Sequence, residues 1–151
     1  DEIVPLAELT RRYPIDMRFI EMMPMCDGAG FGADAYIPFT RVLQALPQLS
    51  PVPSDGGVAK LFRLPDAKGC VGLISPVSAH FCAECTRLRI TADGRVKPCL
   101  HSGAEYPLKG LDLDAMRAQL EAAIRAKPRW HGELDAAHRS GAGRSMNQIG
   151  G

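Results

Sequence analysis

The chain has 151 residues, of which 46% are hydrophobic, 23% charged and 6% aromatic. That length suits one ordinary domain or a piece of a larger one, and the apolar share with a net charge of +1 excludes a disordered chain. The charge is uneven, with 7 Lys/Arg against 10 Asp/Glu up to Cys85 and 11 against 7 beyond it. A basic second half without interleaved aromatics points to a small anionic ligand and away from nucleic acid. No apolar run approaches the ~18–20 residues that cross a bilayer, so no membrane association is expected and the location expected is cytoplasmic. The first residue is Asp1 and not Met, which suggests processing or excision from something longer.

In chain order, residues 14–24 (PIDMRFIEMMP) read as a strand. Met17 and Phe19 project to one face, and Asp16, Arg18 and Ile20 to the other. Arg18 on the alternate face fits a barrel whose inner face lines a site, or an edge strand with Arg18 in solvent. Pro24 and residues 27–32 (DGAGFG) end the strand in a loop. Residues 39–46 (FTRVLQAL) have a helical pattern with Thr40 as candidate cap and Pro47 as stop. A Pro/Ser/Gly-rich linker spans residues 50–57, and residues 59–64 and 70–74 read as paired strands around a turn at 65–69. A second hairpin pairs residues 87–91 with 95–100 across Asp93-Gly94, a dipeptide suited to positive φ. Residues 111–127 form an amphipathic helix, capped by Asp112 or Asp114, with Met116, Leu120, Ala123 and Ile124 as its apolar stripe. Lys127 favours the C-terminal dipole there, and Pro128 closes the helix. The last residues, 130–151, are polar and Gly-rich, and composition makes them a mobile tail unless something binds them.

Five cysteines without a secretory signal do not make a disulfide framework. Cys26 and Cys70 read as small buried hydrophobes. Cys82, Cys85 and Cys99 form a C-x2-C-x13-C set. The two residues between Cys82 and Cys85 let both thiolates face one centre, and the hairpin returns Cys99 close to Cys85. Such a set suits structural zinc, with His80 or His101 as fourth ligand, or an iron–sulfur cluster with one iron left open. Arg87 and Arg89, on one face of the strand leaving the site, add guanidinium forks for a carboxylate, phosphate or purine edge.

The stretch 81–100, FCAECTRLRITADGRVKPCL, resembles the C-terminal cluster motif of the radical SAM GTP cyclases that begin molybdenum-cofactor biosynthesis, the MoaA family. Residues 18–24 (RFIEMMP), 72–76 (GLISP) and the closing MNQIGG resemble further segments of that family, in the same order. The resemblance implies an α/β fold: the C-terminal part of an incomplete (β/α) radical SAM barrel, then a small α+β domain with hairpins and an auxiliary cluster site. On this basis residues 1–49 would close the partial barrel, 50–130 would form the auxiliary-cluster domain and 131–151 a flexible tail. It further implies that Cys82, Cys85 and Cys99 hold a 4Fe–4S cluster whose open iron binds guanine. Arg87, Leu88, Arg89 and Arg18 would contact GTP, Met23 would touch S-adenosyl-L-methionine, and Gly150-Gly151 would reach back into the active site.

The family's N-terminal C-x3-C-x2-C motif, which generates the radical, does not occur in this chain. The resemblance thus implies a lyase half: it would bind GTP, work with the N-terminal half of the same enzyme as monomer or homodimer, and be inactive alone. No residue of this chain is assigned as catalytic. Two other readings are a structural zinc module and the C-terminal half of a different radical SAM enzyme with an auxiliary cluster.

Overall fold

The computed structural model describes residues 1–25, 36–53, 56–135 and 138–149. Cys26, the loop at 27–32 and Gly150-Gly151 lie outside the described residues. The chain divides into two compact units, Asp1–Met22 with Gly32–Phe81, and Met23–Phe31 with Cys82–Gly151. Together they have a mixed α/β composition, with three α-helices and two sheets among the described residues.

The first unit opens with α1 (Ile3–Arg12), an element that precedes everything the hydrophobic pattern suggests. Its inward face carries Ile3, Ala7 and Thr10, a three-to-four-residue spacing, and Arg11 and Arg12 suit the negative end of the dipole. The expected strand is shorter than its sequence pattern: β1 is Met17–Ile20, with alternating burial that leaves Arg18 and Ile20 outward. Next come α2 (Phe39–Ala45), β2 (Ser50–Pro51), β3 (Lys60–Arg63) and β4 (Val71–Ile74). The sheet order is β1-β4-β3-β2, with β1 parallel to β4 and the other pairs antiparallel. The hairpin read at 59–64 and 70–74 is thus β3–β4. The linker expected at 50–57 instead begins with β2, whose neighbour Val52 N–H donates to the Leu61 carbonyl at 3.0 Å. β2 is an edge strand, where Pro51 removes no needed donor.

The core of this unit gathers Ala7, Val42, Leu46, Leu64, Val71 and Leu73, flanked by Ile3, Phe19 and Phe39. α1 also touches the β3–β4 turn, because the Thr10 carbonyl accepts from Lys68 N–H and Gly69 N–H at 2.9 and 3.1 Å. A Cβ on Gly69 would lie 1.9 Å from the Ile15 carbonyl oxygen, so only glycine fits there. Cys70, next in sequence, is buried, as its isolated position in the sequence suggests.

Glu21 links the pieces. It is 4% exposed, and its carboxylate accepts from Phe39 N–H at 3.0 Å, Val77 N–H at 3.1 Å, Ser78 N–H at 2.9 Å and the Ser78 hydroxyl. Burial pushes its pKa up, but the hydrogen bonds from Ser78, Phe39 and Val77 outweigh burial and hold it below the ordinary carboxylate range. Glu21 therefore ties the end of β1 to the turn after β4 and to the first N–H of α2. The cap expected from Thr40 comes from this distant carboxylate instead, because Pro38 stands at the cap position and offers no side-chain acceptor.

In the second unit a 3-10 turn at Cys82–Glu84 leads into β5 (Arg89–Ile90), β6 (Arg95–Lys97), β7 (Tyr106–Pro107) and α3 (Leu113–Arg125). The three strands form an antiparallel sheet in the order β5-β6-β7. Asp93-Gly94 makes the expected turn, with Gly94 at φ +80° and its N–H donating to the Thr91 carbonyl at 2.9 Å. α3 is capped by Asp112, whose Oδ1 accepts from Ala115 N–H at 2.8 Å. Met116, Leu120 and Ala123 pack on Val96 and Leu108 as the stripe requires. Ile124, expected in that stripe, is 56% exposed: one residue past Ala123 is about 100° round the helix and off the packed face.

One ionic chain crosses this unit. Lys97 has no exposed surface; its Nζ donates to the Ser102 carbonyl at 2.7 Å and pairs with Glu105 at 3.3 Å. Both Glu105 oxygens also accept from Arg144, at 2.6 and 2.7 Å, and Arg144 reaches Asp93 at 2.8 Å. Glu105 thus joins a buried ammonium to the C-terminal segment and, through Arg144, to the hairpin turn. Removing Glu105 as Glu105→Ala strands the Lys97 ammonium and should cost about 3–5 kcal/mol. Lys97→Met leaves Glu105 paired with Arg144 and should cost clearly less in urea denaturation. The Arg144 bonds, aided by Lys97, hold Glu105 below its ordinary value of 4.5. A folded-state pKa below the unfolded one gives stability that is present above pH ~4.5 and lost as pH falls below it. The urea midpoint should therefore drop in that acid range, and drop less steeply in Glu105→Gln.

Candidate metal centre

The second unit brings the C-x2-C pair and Cys99 to the open end of the β5–β6 hairpin. The Cys85 N–H donates to the Cys82 carbonyl at 3.2 Å, which keeps the two cysteines one tight turn apart. Cys99 lies just past β6, in a turn closed by Ser102 N–H on the Cys99 carbonyl at 3.3 Å. β6 ends at Lys97 and does not run to Leu100, because the chain turns at Pro98. All three thiols are free and half-exposed.

Lys127 joins the two arms. Its Nζ donates to the Arg87 carbonyl at 2.8 Å, to the Pro98 carbonyl at 2.9 Å and to Cys85 Sγ at 3.6 Å. One carbonyl precedes β5 and the other follows β6, so a single ammonium spans the hairpin between the C-x2-C turn and Cys99. Lys127, expected only to complement the helix dipole, is a residue of the site. Its sequence position at the end of a helix, before Pro128, gives no sign of this.

The donor set can be tested against the two candidate groups. Tetrahedral zinc, with bonds of about 2.3 Å, would hold its sulfurs roughly 3.8 Å apart. Among the described residues, the one trio of His, Cys, Asp or Glu with ligand atoms all within 4.8 Å of each other is Glu133, Asp135 and His138, all exposed. Cys82, Cys85 and Cys99 are not drawn that tight, with or without His101. An iron–sulfur cluster takes each cysteine on a different iron and spreads its sulfurs further. The three free thiols at one hairpin end fit such a cluster.

His101 is buried and bonded to the C-terminal segment through Nδ1. It is 8% exposed, its Nδ1 lies 3.1 Å from Ser140 Oγ, and its ring meets that of His131 edge-on with centroids 4.9 Å apart. Burial, with the charges of His131 and Arg89, pushes its pKa down to about 4, so the imidazole is neutral at physiological pH. His80, the other zinc candidate, is exposed in the first unit.

The GTP-contact candidates occupy three settings. Arg89 opens β5 opposite Lys97, half-buried. Leu88 packs against the core of Val96, Leu108 and Ala123. Arg87 precedes the strand and is exposed, so the expected pairing of both arginines on one strand face is limited by where β5 begins. Arg18 stands on β1 in the first unit, level with Gly72 of β4. A Cβ on Gly72 would lie 3.2 Å from Arg18 Cγ, so the glycine leaves room for the arginine stem.

The C-terminal segment packs where composition alone predicts mobility. Ile149 and Ala142 are buried with Met25, and Met23, Leu100 and Met146 lie against them. Ser140 N–H donates to the Pro24 carbonyl at 2.9 Å. Met23, the expected S-adenosylmethionine contact, thus lies in one cluster with Leu100, the neighbour of Cys99, and with the last described residues before Gly150-Gly151. Ser140 and Arg144, which anchor this segment, carry no sequence signal, since their partners His101 and Glu105 lie 39 residues away.

Residues 15–133 match the family model described as Molybdenum Cofactor Synthesis C. The chain is 42% identical over 155 residues to the GTP 3',8-cyclase of Alkaliphilus metalliredigens. It is 40% identical over 159 residues to that of Alkaliphilus oremlandii, and 40% over 162 to that of Pelotomaculum thermopropionicum. All of this chain is covered in each case, against 48%, 48% and 49% of the relatives, so the chain spans about half their length. With its three-cysteine hairpin and a family model matching most of its length, the chain belongs to the Molybdenum Cofactor Synthesis C family.

Proposed function

We propose that this chain is the C-terminal, substrate-binding half of a GTP 3',8-cyclase, a radical SAM lyase that converts GTP to (8S)-3',8-cyclo-7,8-dihydroguanosine 5'-triphosphate in molybdenum-cofactor synthesis. The observation that carries the reading is that the C-x2-C turn and Cys99 flank the open end of the β5–β6 hairpin, whose two arms and Cys85 Sγ all accept from Lys127. The names of the full-length relatives support the same substrate. In this reading residues 1–49 are the closing part of an incomplete (β/α) barrel, residues 50–130 carry the auxiliary cluster, and S-adenosylmethionine is cleaved by the N-terminal half.

When bound, a three-cysteine 4Fe–4S cluster supplies an iron with a free coordination position for the guanine. The protein does the rest by binding and orientation. Arg89, half-buried at the start of β5, offers planar donors to a purine edge or phosphate, and Arg87 adds charge from the exposed side. Arg18, with room made for it by Gly72, is a further GTP contact that the family resemblance implies. Met23 is the S-adenosylmethionine contact. Gly150-Gly151, outside the described residues, keep the active-site role that the family resemblance implies. The zinc-module reading is disfavoured because the three cysteine sulfurs are not all within 4.8 Å of one another.

Anaerobic reconstitution with iron and sulfide tests the reading. A brown protein with about four irons per chain is expected, with a spectrum that GTP perturbs and ATP does not; a colourless protein with one zinc contradicts it. Cys99→Ser should abolish iron uptake and loosen the β5–β6 hairpin, read by iron analysis and circular dichroism. Arg89→Ala should keep the cluster but weaken GTP binding by about 1.5–3 kcal/mol, roughly tenfold or more in Kd by calorimetry.

A further inference from the structure

The role of Lys127 goes beyond the ligands and arginines of the proposed site. An ammonium has three protons to donate, and here three acceptors take them: the Arg87 carbonyl, the Pro98 carbonyl and Cys85 Sγ. The first two belong to the residues just before β5 and just after β6, on the hairpin arms that lead to Cys85 and Cys99. The third is one of the three sulfurs. The amine is delivered from a fixed position, because α3 is packed through Ala123, and Lys127 N–H closes the helix on the Ile124 carbonyl at 3.2 Å, with Pro128 next.

We infer that Lys127 is a positioning residue for the three-cysteine centre, setting the gap between the hairpin arms and donating a hydrogen bond to the Cys85 sulfur that makes a bound cluster easier to reduce. The inference rests on the reading of Cys82, Cys85 and Cys99 as cluster ligands. Its physical basis is general. A donor to a ligating sulfur draws electron density from the metal, and a nearby cation favours the more negative, reduced state, so both raise the reduction potential. The two carbonyl bonds hold that donor in place, so charge and geometry act through one side chain. Methionine matches the lysine stem but offers neither proton nor charge, whereas arginine restores the charge.

The test uses the whole 151-residue chain, reconstituted anaerobically with iron and sulfide, as wild type, Lys127→Met and Lys127→Arg. Circular dichroism reports the fold, iron analysis the loading, and a dye-mediated redox titration the midpoint potential. The expected result for Lys127→Met is a folded chain whose cluster has a lower midpoint potential and loses iron to a chelator several-fold faster, with Lys127→Arg returning the potential toward wild type. A folded Lys127→Met chain that takes up no cluster at all also supports the positioning role. A cluster-loaded Lys127→Met chain with wild-type potential and iron-release rate overturns it, leaving the cluster reading intact. If Lys127→Met does not fold, Lys127→Gln decides: it keeps N–H donors for the carbonyls without the charge, and a wild-type potential there overturns the inference, whereas a lowered one supports it. A wild-type chain that takes up no cluster overturns the parent reading and this one together.

Discussion

Antiparallel pairing of β5 with β6 is the constraint on which the second unit depends. Two of the three cysteines precede the hairpin and the third follows it, so their meeting relies on a turn that reverses the chain without splaying its strands. Gly94 at φ +80° provides that reversal, and a Cβ there would press on Lys109 at 2.9 Å. The register then sets Arg89 opposite Lys97, placing a candidate ligand-binding cation and a buried structural one on paired positions. From Lys97 the ionic chain runs through Glu105 to Arg144, and so to the segment that ends in Ile149. The hairpin, the thiols and the C-terminal segment are therefore parts of one packed arrangement.

The first unit has its own organising group. Two of the segments that carry the family resemblance, RFIEMMP and GLISP, are far apart in sequence but adjacent in space as the parallel pair β1 and β4. Glu21 closes that pair at its C-terminal end, accepting from the turn after β4 and from α2. A buried carboxylate with four donors is fully satisfied and cannot be exchanged for an apolar residue without orphaning several N–H groups. Gly72 beside Arg18 adds a reason for glycine in the second segment.

Much of this was legible in local sequence because local physics decided it. The Asp93-Gly94 turn, the Asp112 cap, the β3–β4 hairpin and the inward stripe of α3 each depend on neighbours within a few residues. The C-x2-C-x13-C spacing was interpretable for the same reason, once the intervening residues read as a hairpin. What escaped detection was set at long range. Lys127 reaches residues 29 to 42 positions away, Ser140 and Arg144 find partners 39 positions away, and Glu21 caps a helix 18 positions on. None of these side chains differs locally from a surface residue. The packing of the C-terminal segment has no local signal for a related reason: it rests on scattered single residues, Ala142 and Ile149 among them, without periodicity.

The proposed chemistry comes down to three thiolates that occupy three irons and leave the fourth to the substrate. Mössbauer spectroscopy of the chain reconstituted with enriched iron addresses that directly. The account predicts a 4Fe–4S spectrum in which one iron of four is distinct and changes its parameters when GTP is added. Four equivalent irons indifferent to GTP, or a chain that retains zinc and no iron, would contradict it.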